Sequence, residues 1–179
     1  MTSQQFSRGL IVLVVVLLAQ LTVVLDLRVD GAHPDIVLGL AIVAGLVGGV
    51  ERGAVVGFVS GASLDLFLPT PFGLSALVGT VIGAAAGALV TSRIDRSNPL
   101  FLPGVAVIGS VIGVIMFAVL GTVLGQPDMV TVSLAPVVGV VALVNGLACY
   151  PLRRACAWAL GQSEGRSAWR GPLVSGDAP

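Results

Sequence analysis

From position 9 to about position 150 the chain alternates between apolar blocks of roughly 15 to 25 residues and short polar stretches. Blocks of that length predict membrane-spanning helices. The first block covers 9–25 and carries Gln20 and Thr22 near its far end. Asp26, Arg28, Asp30 and His33-Pro34-Asp35 follow. Pro34 has the φ of a first helical turn, and Asp35 suits the positive end of a helix dipole, so a second span is predicted over about 35–50. Glu51-Arg52 then predicts a tight polar turn and a third span over about 53–68. One continuous helix across 36–68 would bury both charges at mid-membrane. The two segments therefore read as a hairpin of short helices, which needs local membrane thinning or shelter by neighbours.

The fourth span is predicted over 73–91 and the fifth over about 100–124, with Pro103 in its first turn. The sixth covers about 130–150, with a kink expected at Pro136. After Pro151, the residues Arg153, Arg154 and Trp158 suit an interfacial helix end. Residues 161–179 read as a disordered cytoplasmic tail, which leaves 1–160 as a single transmembrane domain. The expected fold is an all-α polytopic membrane protein with six transmembrane helices.

Composition agrees: 56% of the 179 residues are hydrophobic and only 10% charged, against about a quarter charged in a soluble domain. The few charges set the orientation. With six spans, Arg8, Arg52, Arg93, Arg96, Arg153, Arg154, Arg166 and Arg170 fall on one side, and Arg28 alone on the other. The positive-inside rule makes that side cytoplasmic, and both termini with it. Cys149 and Cys156 are seven residues apart on one helix, about 10 Å, which is too far to bridge.

The candidate chemistry lies in 53–75, GAVVGFVSGASLDLFLPTPFGLS. Gly53, Gly57 and Gly61 recur every fourth residue, and Asp65 continues the series. Such a stripe lets another helix approach closely. The fourth span carries a second ladder, Gly79, Gly83 and Gly87. The ladders predict packing between these two helices, or alternatively a groove for a partner's helix. Asp65 is the one acid deep enough in a span to need an explanation. A proton or cation relay is one reading. The other is a carboxylate bonded to free amides at the start of the next helix, around Gly73-Leu74-Ser75. No span supplies a relay partner, so the structural reading is preferred, with asparagine expected to serve nearly as well. His33, the sole histidine, has only loose carboxylates around it and reads as a solvated loop residue. Asn145 predicts an interhelical hydrogen bond. Nucleotide-binding, zinc-hydrolase and serine-hydrolase motifs are absent.

His33-Pro34-Asp35, then Gly57-Phe58-x-x-Gly61-x-x-x-Asp65-Leu66, then Pro71-Phe72-Gly73-Leu74-Ser75-Ala76, resembles the rod shape-determining protein MreD family. The resemblance covers about residues 33–80; elsewhere it rests on size and span number. It implies a non-enzymatic scaffold, without cofactor, in the bacterial cytoplasmic membrane. The implied partners are an MreC-like bitopic membrane protein and, indirectly, an MreB-like filament and the glycan-polymerising and transpeptidase enzymes of cell-wall elongation. Its only other surroundings are the lipid bilayer, and no nucleic acid is implied. Together with the ladder positions Gly53, Gly79, Gly83 and Gly87, read from spacing, the motif residues Pro34, Asp35, Gly57, Gly61, Asp65, Phe72 and Gly73 are expected to pack the fold or its partner. The rival is the substrate-capture subunit of a membrane transporter, also a six-span protein of this length. Such a subunit needs convergent polar and aromatic side chains at its outer end. Here both tryptophans and the single tyrosine lie at the cytoplasmic end, which argues against it.

Overall fold

The computed structural model describes residues 3–24, 35–68, 71–91, 100–125 and 134–161. Among these residues every regular element is helical. Helix α1 is Ser3–Ala19, continued by a π-helical turn, Gln20–Val24. Then come α2 (Ile36–Gly48), α3 (Val50–Asp65), α4 (Leu74–Thr91), α5 (Phe101–Val123) and α6 (Leu134–Ala159). His33, Pro34, Arg28, the polar stretch 92–98 and the tail 162–179 lie outside the described residues.

Among the described residues, three segments are long and apolar enough to cross a membrane: Ser3–Thr22, Phe101–Val123 and Pro136–Ala159. Helix α2 is apolar but shorter, as is the Leu74–Val90 stretch of α4. These apolar helices point to a membrane protein.

Helix α2 explains how so short a segment is tolerated. Every residue over 37–45 is buried. A helix that is apolar all round belongs inside a bundle, and here α3, α4, α5 and α6 pack around it. Leu38 and Ile42 sit against Gly113 and Gly109 of α5. Leu40 and Val43 join a second cluster with Ala106, Cys149 and Leu152. The start of α2 is pinned deep in the molecule. Asp35 caps it, its side chain accepting from the Leu38 amide at 3.0 Å. The Asp35 carbonyl in turn accepts from Asn145 Nδ2 at 2.8 Å, and the same Nδ2 lies 2.8 Å from Ser110 Oγ. Ser110 and Asn145 belong to the middle turns of α5 and α6. Helix α2 therefore begins level with the middle of its long neighbours, sheltered by protein.

The hairpin exists, but its corner is not at Glu51-Arg52. Helix α2 stops at Gly48, Gly49 alone makes the corner, and Val50 already starts α3. Gly49 has φ 84° and ψ −178°, a backbone conformation that suits glycine. Its amide still donates to Gly45 and its carbonyl accepts from Gly53, so both helix ends are satisfied across one residue. Glu51 thus falls in the first turn of α3, where an acid suits the dipole.

The two prolines of α6 also differ from expectation. Pro136 lies in the first turn, where no intrahelical amide is needed, so it causes no mid-span kink. Pro151 lies inside the helix, which runs on to Ala159. The segment expected as a separate helix end is the last third of α6. Cys149 and Cys156 are both free and buried there, with Cys149 Sγ donating to the Gly146 carbonyl at 3.0 Å.

Helix α1 is fastened at its two ends. Near its start, Gln5 Nε2 donates to the Leu160 carbonyl at 3.1 Å, and the Arg8 guanidinium lies 5.1 Å from the centre of the Trp158 ring. At the other end, Gln20 Oε1 accepts from the Ile36 amide at 2.9 Å. Between them Val12 and Val16 are buried, while most of the remaining side chains face outward.

Candidate functional site

The two glycine ladders face each other. A Cβ added at Gly53 would meet the Gly83 carbonyl, one at Gly57 the Gly79 carbonyl, and one at Gly61 the Ser75 carbonyl, each at under 3.0 Å. The relation is reciprocal: a Cβ at Gly79 would meet the Gly57 carbonyl, and one at Gly83 the Gly53 carbonyl. Gly87 completes the series against Gly49 and Val50. The pairs 49/87, 53/83, 57/79 and 61/75 step by four residues on each strand of the pair, as two antiparallel helices in steady contact require. In every case the neighbour is backbone, so no side chain can move aside. The two helices touch main chain to main chain along four turns.

Helix α2 joins the same line. A Cβ at Gly45 would strike the Gly83 carbonyl and the Gly87 amide, and one at Gly53 would come within 2.7 Å of Gly45 Cα. Gly45, Gly53 and Gly83 therefore mark a point where three helix backbones converge. The ladders expected from sequence involve a third helix through Gly45, which that reading did not single out. Its signal was available: Gly45 lies eight residues before Gly53 and continues the four-residue spacing through Gly49.

Asp65 closes the open end of this interface. It is the last residue of α3 and only 4% exposed. Its Oδ2 accepts from the Gly73 amide at 2.9 Å and from the Ala76 amide at 3.2 Å, while Oδ1 accepts from the Ser75 amide at 3.1 Å. Ser75 and Ala76 are in the first turn of α4, whose amides have no intrahelical partner. A capping residue normally meets such amides with its own side chain. Gly73, which precedes α4, has none, and its φ of 96° favours glycine. Asp65 supplies from α3 the carboxylate that Gly73 lacks. The α4 dipole adds to the attraction. Phe72, one residue earlier, points away and is 70% exposed.

A second polar node joins α2, α5 and α6 through Asp35, Ser110 and Asn145. Asn145 is fully buried, and its Oδ1 has no hydrogen-bond partner among the described residues. That oxygen is pressed against Gly39, where a Cβ would come within 2.5 Å of it. Asparagine at 145 was expected to bond between helices, but Gly39 and Ser110 as its neighbours were not.

No protein family, curated protein or solved structure matches this chain. The two carboxylates of the site each cap a helix: Asp65 caps α4, and Asp35 caps α2. Among the described residues, no group of three or more histidine, cysteine or acidic side chains is arranged to hold a metal.

Proposed function

We propose that this chain is an MreD-like, non-enzymatic scaffold of the bacterial cell-wall elongation complex, held in the cytoplasmic membrane by six spans. The observation that carries the proposal is the use made of the residues behind the resemblance. Gly57, Gly61, Asp65 and Gly73 are spent on main-chain contact and capping between α3 and α4. A carboxylate whose oxygens accept from three amides is fixed in place, which suits a lock better than a relay. What remains for partners is apolar surface: Phe58, Leu66, Phe67 and Phe72 are all exposed. An MreC-like bitopic protein is the proposed direct partner.

Cytoplasmic termini are part of the same proposal. The eight-to-one arginine distribution supports them. So does the pairing of Gln5 and Arg8 with Leu160 and Trp158, which brings the start of α1 and the end of α6 to the same end of the bundle. The test is depletion of the protein in its native host. Loss of cell shape, with new wall inserted abnormally, is the expected outcome; unchanged shape and wall insertion after complete depletion would overturn the proposal.

A further inference from the structure

A groove of about 430 Å³ opens between α1 and α3 at the end of the bundle that carries the described arginines. Its walls are Leu10 and Leu13 on one side and Val55, Val56 and Val59 on the other, over a floor that includes Leu40 and Ala44. The gap has a simple origin. Gly9 faces it, and a Cβ there would meet nothing within 4 Å. Ala44 is equally short. Helix α1 is anchored at Gln5 and Gln20, and at Gly9 it offers no side chain to fill the space before α3.

Polar groups line the groove at one end only, where Gln5, Glu51 and Arg52 converge. Water needs two to four polar partners to stay in a cavity, so the rest of the groove suits hydrocarbon. The charge at the polar end is positive. Arg52 lines it beside Glu51, and Arg8 lies next to it against Trp158, two minus one giving +1. Arg52 is different: its aliphatic stem lies over Gly48, and its neighbour Glu51 is one residue away, a spacing that does not face it on a helix. A guanidinium on an apolar stem at the rim of an apolar slot matches a phosphate above an acyl chain.

We propose that this groove binds one anionic phospholipid, its acyl chain between α1 and α3 and its phosphate at Arg52. The proposal rests on the membrane reading of the chain and is independent of the wall-synthesis role. Filling the slot with hydrocarbon completes the packing that α1 leaves open. An anionic headgroup offsets the positive rim, and such lipids are the ones enriched where polybasic rims face the cytoplasm.

The test is fluorescence quenching in vesicles by lipids with brominated acyl chains. Trp158→Phe and Trp169→Phe remove both native tryptophans, and Phe6→Trp places a single reporter on the groove rim. In phosphatidylcholine vesicles, brominated phosphatidylglycerol should quench along a curve that saturates at low mole fraction. It should act about tenfold more effectively than brominated phosphatidylcholine, a preference of about 1.4 kcal/mol. Arg52→Gln should erase the preference between the two lipids. Gly9→Leu, whose Cβ would meet nothing within 4 Å, should erase the saturating component while circular dichroism stays unchanged. Equal quenching by the two lipids would overturn the proposal. So would a preference that survives Arg52→Gln, or a saturating component that survives Gly9→Leu. None of these readouts depends on any partner protein, so failure here leaves the scaffold reading standing.

Discussion

Gly57→Ala is the smallest change that tests the main-chain interface. The added methyl would lie under 3.0 Å from three backbone atoms, the Gly79 oxygen and carbon and the Thr80 nitrogen. Ordinary contact begins at 3.4 Å, so α3 and α4 must separate. The separation is shared by every step of the ladder, because both helices are stiff. Overpacking of this kind costs about 1–3 kcal/mol. Against it stands the better helix propensity of alanine, about 1 kcal/mol. Gly139→Ala is the matched control: the same chemistry on α6, with nothing within 4 Å of the new methyl. It keeps the propensity gain and has no clash. Unfolding free energies, measured by denaturing-detergent titration of the purified proteins, should therefore differ by about 1–3 kcal/mol, with Gly57→Ala the weaker protein. Gly57→Leu should prevent accumulation altogether. If Gly57→Ala and Gly139→Ala are equally stable, the two ladders do not meet main chain to main chain and the interface is wrong.

Asp65→Leu leaves three amides without an acceptor, the buried Ser75 and Ala76 pair at about 1–3 kcal/mol each, and should abolish accumulation in the membrane. Asp65→Asn should fall between Leu and wild type, since one oxygen cannot serve both Ser75 and the Gly73–Ala76 side and its amino group then opposes an N–H; stability equal to wild type would contradict the three-amide clamp. Asn145→Leu should lower stability by about 1 kcal/mol through its two lost bonds, read by the same titration, with no change falling outside the account. With Cys149→Ala and Cys156→Ala as background, Asp30→Cys and Asp128→Cys should react with an impermeant thiol reagent in intact cells and Ser97→Cys should not; labelling at position 97 would overturn the six-span orientation.

Much of this arrangement is written locally in the chain. The ladders were legible because four-residue spacing of glycine has one geometric consequence on a helix, and Asp65 because a carboxylate one turn past Gly61 must end near the same seam. The corner of the hairpin was missed by two residues. Glu51-Arg52 marks where the chain meets the polar boundary, but the turn falls where the backbone needs positive φ, and Gly49 is the residue that allows it. A helix can absorb two charges in its first turn and still start earlier. The expected asparagine substitution at Asp65 looked mild because sequence shows one carboxylate and not the separate donors at each oxygen. Long-range neighbours were beyond reach. Asn145 meets residues 110 and 35 positions away, and no local spacing encodes that pairing. The groove beside α1 is equally non-local, being what Gly9 and Ala44 fail to fill once four helices are in place.

The scaffold reading is tested most directly by what stays bound to the protein. The chain, tagged and expressed at native level, would be purified from its own membranes in mild detergent, with an untagged strain as the control. Cell-wall synthesis proteins, led by a bitopic membrane partner, should be enriched with wild type and absent from the control. Enrichment of an energising ATPase module in their place would contradict the scaffold and favour a transporter subunit.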